Sequence, residues 1–219
     1  MNCLGVVKQR PEAELALPSI SINSLLPHRI TRVLESFGGR LIHISTDCVF
    51  SGRRGNYTEE DEPDPVDLYG RSKALGEVIA DNAVTIRTSM IGRELRNHHG
   101  LLDWFLAQRT MNVRGFRHAM WSGVTTLHLA EIIDRIIHDH RNLTGLHQVS
   151  SGRTSKFDLL RLLGEAYGRD VEISPDDAFH CDRSLVGTRF ENATGYRCPP
   201  LQELIVSMVA DPTPYPSLS

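Results

Sequence analysis

A tyrosine and a lysine four residues apart form the pair in this chain with the most specific chemistry. Tyr69 and Lys73 enclose the sequence Gly-Arg-Ser, and residues at this spacing lie on one face of a helix. A phenol can donate a proton to a ketone oxygen, but its pKa of about 10 is poorly matched to neutral pH. A lysine ammonium one turn away lowers that pKa and can also hold a ribose hydroxyl. The pair therefore indicates a site that reduces a ketone with a nicotinamide cofactor.

The stretch before this pair supplies a hydroxyl group. Residues 41–50 read Leu-Ile-His-Ile-Ser-Thr-Asp-Cys-Val-Phe, an apolar run typical of a buried strand that ends in polar side chains. A hydroxyl at that end would position the carbonyl oxygen that receives the proton. Thr46 is the candidate, with Ser45 beside it. Residues 52–67 are rich in Gly, Pro and acidic side chains, which predicts an irregular surface loop between strand and helix.

The order of the predicted elements favours an α/β fold with a parallel sheet. The predicted strands are 1–7, 40–45, 83–87, 146–149 and 171–173. The predicted helices are 20–37, 68–81, 100–110, 125–140 and 201–209, together with one that begins after a cap at Ser155 and ends near Gly168. A short irregular or strand-rich stretch over 111–124 interrupts the alternation.

Composition and charge indicate a globular protein and exclude several other classes. The 219 residues are 40% hydrophobic, which is enough for a core, and the formal charge of −3 favours neither nucleic acid nor a membrane surface as partner. No apolar run reaches the roughly 18 residues of a membrane span, so we expect a cytoplasmic protein. The four cysteines lack zinc-site spacing, and His98-His99 and His138-Asp-His140 lack further ligands, so no metal site is predicted.

Several segments resemble the extended short-chain dehydrogenase/reductase superfamily. They are Ser45-Thr-Asp-Cys-Val-Phe-Ser-Gly52, Tyr57-Thr-Glu-Glu-Asp61 and Tyr69-Gly-Arg-Ser-Lys-Ala-Leu-Gly-Glu77. Within the superfamily, these motifs are most similar to those of dTDP-4-dehydrorhamnose reductases and related nucleotide-sugar reductases. Further similarity at Ile86-Arg-Thr-Ser89 and Gly145-Leu-His-Gln-Val-Ser-Ser151 extends the resemblance over most of the chain.

The resemblance implies a role for each matching residue. Tyr69 is expected to donate the proton, Lys73 to orient the nicotinamide ribose and tune the phenol, and Thr46 to bond the reacting oxygen. Asn23 is expected to support Lys73 through water. The implied cofactor contacts are Asn2, Cys3, Gly5, Ser45, Tyr69, Lys73, Arg87, Thr88 and Ser89. The implied substrate contacts are Thr46, Asp47, Met90, Arg183 and Arg189. Met90 stands where rhamnose-type reductases often have an aromatic residue, so the sugar stays open.

The fold that the resemblance implies is α/β, a partial Rossmann-type parallel sheet with a small C-terminal substrate lobe. Residues 1–90 would form an incomplete dinucleotide-binding core to which 125–150 return, and 91–124 and 151–219 would form the substrate lobe. Members of the superfamily begin with a glycine-rich turn that holds the cofactor pyrophosphate, and this chain shows no such turn. We therefore expect a truncated reductase that lacks roughly 60 to 75 residues and binds nicotinamide weakly or not at all.

Three functions stay open. The first is an NADPH- or NADH-dependent reductase of a nucleotide-linked 4-keto-6-deoxy sugar, with a nucleoside-diphosphate sugar as partner and a homodimer as a possible assembly. The second is an epimerase of the same superfamily. A dehydratase is disfavoured, because dehydratases usually carry an acidic pair after the threonine and here only Asp47 follows. The third is a non-catalytic homologue, since a regulatory subunit of methionine adenosyltransferase uses the same fold.

Overall fold

A computed structural model describes residues 1–96, 99–108 and 112–215 and confirms a mixed α/β fold. The helices are α1 (Ala16–Pro18), α2 (Leu26–Glu35), α3 (Leu68–Leu75), α4 (Leu101–Leu106), α5 (Thr126–His138), α6 (Lys156–Ala166), α7 (Thr188–Thr194) and α8 (Leu201–Ala210). The strands are β1 (Leu41–Ile44), β2 (Ala83–Arg87), β3 (Met90–Ile91), β4 (Asn112–Trp121), β5 (Val124–Thr125), β6 (Gly145–Gln148), β7 (Thr154–Ser155) and β8 (Glu172–Asp182). The predicted boundary between a helix and a strand-rich stretch at 109–111 lies outside the described residues, as does His98.

The central sheet consists of three parallel strands in the order β1-β2-β6. These strands are buried almost throughout, because helices cover the sheet, and this is why they read as apolar runs. Ile44 lies opposite Ile86 at the ends of β1 and β2. Buried residues of α5, among them Ile132 and Ile136, pack with these isoleucines in one core. The polar residues that follow β1 and β2 therefore leave the sheet at one edge.

The N-terminal segment pairs with the sheet at a single residue. Asn2 donates its N–H to the Ile42 carbonyl at 2.8 Å and accepts from the Ile44 N–H at 3.2 Å. Further along, the Asn23 side chain bonds the backbone N–H and carbonyl of Val6, at 2.8 and 3.1 Å. A side-chain amide thus takes the place of a neighbouring strand. The prediction of a strand over residues 1–7 is therefore wrong, apart from the single bridge at Asn2.

Two helices near the site differ from their predicted bounds. The helix predicted over 68–81 ends at Leu75, and Gly76 follows it against the π-helical turn Ser19–Leu25. A Cβ on Gly76 would lie 1.8 Å from the backbone carbonyl oxygen of Asn23 in that turn, so glycine alone allows this approach. The helix predicted over 20–37 begins with the π-helical turn and ends with α2.

A second core lies in the predicted substrate lobe. It contains Leu102 of α4, Leu159 of α6 and Ile205 of α8, all buried. Strand β8 runs parallel to β4 and spans 11 residues, far more than the three predicted at 171–173. The end of β8 contacts the loop before α3, because the Asp182 N–H donates to the Gly52 carbonyl at 2.6 Å.

His43 of β1 gives the folding equilibrium a defined pH dependence. Its ring is wholly buried and bonds the Asn2 side chain at 3.2 Å. Burial, aided by the charge of Lys73, lowers the pKa of His43 from 6.5 to about 3. The unfolded chain takes up this proton near pH 6.5 and the folded chain does not, so stability falls as the pH drops from about 6.5 towards 3, by up to about 1.4 kcal/mol per pH unit.

We expect His43→Gln to abolish the uptake of one proton on unfolding, because glutamine can keep a bond to Asn2 without titrating. The measurement is the free energy of unfolding in urea between about pH 7 and pH 5 for both proteins. The slope of wild type should exceed that of the variant. Equal slopes would show that His43 takes up its proton in the folded state.

Candidate active site

The three candidate catalytic residues come together at the C-terminal end of β1. Thr46 follows the strand directly, and Tyr69 and Lys73 lie on α3. The Lys73 ammonium donates to the Ile44 carbonyl at 2.6 Å, which ties the helix to the strand. The Tyr69 phenol lies near enough to the Thr46 hydroxyl for that hydroxyl to influence its pKa. A hydroxyl, a phenol and an ammonium therefore share one edge of the sheet.

Contacts at the start of α3 hold the helix in this place. Asp67 caps the helix by accepting from the Gly70 N–H at 2.8 Å, and its other oxygen accepts from the Lys8 ammonium at 2.6 Å. A Cβ on Gly70 would lie 2.2 Å from the Cys48 carbonyl, so only glycine lets the helix approach the turn after β1. This approach puts the phenol beside the hydroxyl.

The pKa of the Tyr69 phenol is raised above its ordinary value, whereas the sequence predicted a lowered one. Burial is the main cause; the Cys48 thiol adds to it and the nearby Thr46 hydroxyl opposes it. The pKa of Lys73 is lowered to about 8 by burial, which the charge of Glu77 partly opposes. The phenol therefore keeps its proton at neutral pH, which is the form that a general acid needs.

A buried carboxylate lies behind the site. Glu77 accepts two bonds from the Arg87 guanidinium, at 2.8 and 2.7 Å, and one from the Ser45 hydroxyl at 2.7 Å. The side chains of the ion pair are 6% and 3% exposed, and the guanidinium lies over the Phe50 ring. Ser45 and Arg87 were predicted to contact a cofactor. In the structure both belong to this network, which joins the ends of β1 and β2, and their contact with a cofactor stays a prediction.

The residues after β2 lie beside a cleft. Thr88 is buried and donates its hydroxyl to the Val149 carbonyl at 3.0 Å. Ser89 accepts from the Trp121 indole at 2.8 Å, and Met90 is exposed. Ser89, Met90 and Trp121 line a cleft of about 450 Å³. The charged residues of its lining are Arg10, Arg93, Glu94, Arg96 and Lys156.

The remaining predicted residues separate by position. Asn23 is buried and donates to the Ser72 hydroxyl at 3.0 Å, so it supports α3 rather than Lys73 directly. Asp47 and Arg183 lie near each other beyond the C-terminal end of β1. Burial raises the pKa of the Asp47 carboxyl, and nearby positive charges, that of Arg183 among them, oppose this rise. Asn2, Cys3 and Gly5 belong to the N-terminal segment, where Asn2 is buried and Cys3 and Gly5 are exposed. Arg189 forms ion pairs with Glu59 and Glu60 on the loop before α3.

Sequence reasoning missed two residues of this region. Glu77 belongs to a quoted motif but received no role, and Lys156 was seen only as part of a helix start. A lysine directly after a helix cap was the available signal for the second, because cations are disfavoured at that end of a helix. The structure gives both a place beside the candidate site.

The described residues contain neither a membrane-spanning helix nor a cluster of metal ligands. Within the described ranges, no helix has the length and apolarity to cross a bilayer. The same residues bring no three candidate metal ligands together. All four cysteines are free thiols.

Comparison with known proteins places the chain in a family. Residues 10–180 match the family described as RmlD substrate binding domain. The dTDP-4-dehydrorhamnose reductase of Mycolicibacterium smegmatis is 29% identical over 193 residues, which cover 78% of this chain and 55% of that protein. Methionine adenosyltransferase 2 subunit beta of Danio rerio is 40% identical over 70 residues, which cover 32% of this chain and 22% of that protein. The chain thus spans about half or less of the length of these relatives.

A solved structure agrees with the sequence matches. The dTDP-4-dehydrorhamnose reductase of Bacillus anthracis, in complex with NADP, superposes with a TM-score of 0.82 at 22% identity, over 96% of this chain and 79% of that one. At this identity the likeness shows a shared fold. The family match covers most of the chain and confirms the resemblance to these reductases. The chain therefore belongs to the RmlD substrate-binding domain family.

Proposed function

We propose that this chain carries the catalytic and sugar-binding parts of an NADPH- or NADH-dependent reductase of a nucleotide-linked 4-keto-6-deoxy sugar. The observation that carries the proposal is the meeting of Thr46, Tyr69 and Lys73 at the end of β1. The match to a dTDP-4-dehydrorhamnose reductase and the likeness to a structure holding NADP support the same reaction class.

Proton transfer in this site would begin at Tyr69. Its raised pKa keeps the phenol protonated, so it can deliver that proton to the ketone oxygen as the carbon is reduced. The Thr46 hydroxyl, which lies near the phenol, would hold the same oxygen. A nicotinamide, when bound, supplies the hydride. The Lys73 ammonium lies one helical turn away and would stabilise the phenolate that remains.

The described residues fit a nicotinamide ribose at Lys73. A lysine ammonium has three donors, and the Ile44 carbonyl uses one of them. Cys3 lies close enough for its charge to influence the pKa of Lys73, so the exposed N-terminal segment borders the ammonium. We infer that Lys73 would hold ribose hydroxyls beside this segment.

The direct test mixes the purified chain with NADPH or NADH and a panel of dTDP- and UDP-linked 4-keto sugars. Reduction is followed by nicotinamide absorbance and by analysis of the sugar product. Oxidation of the nicotinamide with conversion of a keto sugar supports the proposal. Because weak cofactor binding is expected, the nicotinamide is supplied at millimolar concentration. Sugar conversion without net nicotinamide oxidation would identify an epimerase, and no conversion of any sugar at that concentration would contradict both enzymes.

Lys73 sets the expected pH dependence of the rate. With a pKa of about 8, its ammonium is present below that pH and lost above it, so the reduction rate should fall as pH rises through about 8. In Lys73→Arg the side chain stays charged, and the fall near pH 8 should disappear even if the rate is lower throughout. Rate profiles of both proteins between about pH 6.5 and 9.5 check this. If the rate of Lys73→Arg fell with the same midpoint pH, a group other than Lys73 would be responsible for the titration.

A second candidate is a non-catalytic regulatory subunit. The 40% identity to methionine adenosyltransferase 2 subunit beta over 70 residues favours it. Such a protein would bind an adenosyltransferase catalytic subunit and reduce no sugar. Co-elution with that subunit in gel filtration, unchanged by Tyr69→Phe, would support this candidate. Absence of a complex at micromolar concentrations would contradict it.

A further inference from the structure

Lys156 is a charged residue that the proposed mechanism does not use. It is the first residue of α6, next to the cap Ser155, whose hydroxyl accepts from the Asp158 N–H at 2.9 Å. Its ammonium is almost wholly buried, although the residue as a whole keeps some exposure. Lys156 also lines the cleft beside Ser89 and Trp121.

Several features make this position unfavourable for a lysine. Burial removes the ammonium from water and lowers its pKa. The helix dipole is positive at its N-terminal turn and repels a cation there. Among the described residues, its ammonium has no hydrogen bond or ion pair; the Trp121 ring centroid is 5.3 Å away, and the charge of Asp47 acts on it from beyond ion-pairing distance. A charge kept without a bonded partner, at a cleft wall, indicates a ligand that supplies the partner.

The surroundings select an anionic ligand. The charged side chains described along the cleft are Arg10, Arg93, Arg96 and Lys156 against Glu94, and Arg93 is already paired with Asp103. The free N–H groups at the start of α6 add partial positive charge on the same side. The charge of Asp47, which follows Thr46 in the chain, acts on Lys156, so Lys156 lies within electrostatic reach of the candidate catalytic residues. A compact ammonium with three donors suits phosphate oxygens.

We propose that Lys156 anchors the diphosphate of a nucleoside-diphosphate sugar in this cleft. The inference rests on the proposed function and gives the substrate a fixed point. With the diphosphate held there, the sugar attached to it would extend past Asp47 towards Thr46 and Tyr69. Lys156 is then a positioning residue that takes no part in proton transfer. A dinucleotide cofactor also carries a diphosphate, and the experiment below separates the two sources.

The experiment measures binding by calorimetry to the chain as it exists, using dTDP, UDP, a dTDP-sugar, thymidine and NADPH as probes. Lys156→Gln should weaken the binding of dTDP or UDP about tenfold or more, the cost of one charge-assisted contact, and leave thymidine and NADPH unaffected. Lys156→Arg should restore much of the loss. Arg161→Gln is the matched control, because Arg161 lies on the same helix in an exposed ion pair with Glu165 at 3.7 Å. Circular dichroism of each variant reports whether it folds.

Equal dTDP and UDP affinities in wild type and Lys156→Gln would overturn the inference. Weakened binding of NADPH alone would overturn it as well, and so would wild-type protein that binds neither dTDP nor UDP. Weakened binding of a dTDP-sugar with unchanged binding of dTDP would assign Lys156 to sugar hydroxyls and reject the diphosphate. If the nucleotide contrast holds but no keto sugar is reduced, the inference stands and the proposed reductase function fails.

Discussion

Tyr69→Phe is expected to lower the rate of ketone reduction by a factor of about 100 to 10,000, the usual contribution of a general acid. The substitution removes the phenolic oxygen with its proton and keeps the ring, so the fit of α3 against the turn after β1 should survive. Affinity for the nucleotide part of the substrate should change little, because the cleft that would hold it is lined by other residues. We therefore expect Tyr69→Phe to lose turnover and to retain its affinity for the nucleotide.

Tyr57→Phe is the control for this substitution. Tyr57 is buried, its ring stacks on Phe50 at 4.1 Å, and its hydroxyl accepts from the Arg54 N–H at 3.3 Å. Losing that hydroxyl should leave turnover near the wild-type value. Steady-state rates with a nucleotide 4-keto sugar, together with calorimetric binding of dTDP or UDP, check both variants. A Tyr69→Phe protein that turns over at the wild-type rate would show that another group donates the proton.

The centre of the site was predictable because each of its parts has a local signature. The apolar runs of β1 and β2 need no partner to be recognised, and Tyr69 and Lys73 share a helical face through their spacing alone. Parallel strands also end at one edge, so the meeting of Thr46 with the helix followed from the order of elements. The direction of the phenol pKa did not follow, because burial of Tyr69 depends on how closely Gly70 lets the helix approach.

Contacts between distant segments explain the other errors. Strand β8 reads Glu-Ile-Ser-Pro-Asp-Asp-Ala-Phe-His-Cys-Asp, which lacks both an apolar run and a regular alternation. It becomes a strand through its long register with β4, a tertiary effect that outweighs local propensity. The Asn23 amide likewise bonds Val6 across 17 positions. No local pattern shows that a side chain will replace a strand there.

Single substitutions in the Glu77–Arg87 ion pair are expected to lower the free energy of unfolding strongly. Both charges are buried, so removing one leaves the other without compensation in the protein interior. Glu77→Gln or Arg87→Met is expected to lower the free energy of unfolding by about 3 to 5 kcal/mol. Urea denaturation measures this. Arg117→Gln, which breaks an exposed pair with Asp177, should have a far smaller effect.

The double variant shows whether the cost comes from the uncompensated charge. With Glu77→Gln and Arg87→Met together, no buried charge remains in the pair, so the loss should be smaller than the sum of the two single losses. Losses that simply add would mean that each residue acts through separate contacts, such as the Ser45 bond to Glu77 or the Phe50 ring beneath Arg87. Single losses below about 1 kcal/mol would contradict the buried pair itself. Because the pair joins the ends of β1 and β2, the double variant should also recover part of any nucleotide affinity lost by the single variants.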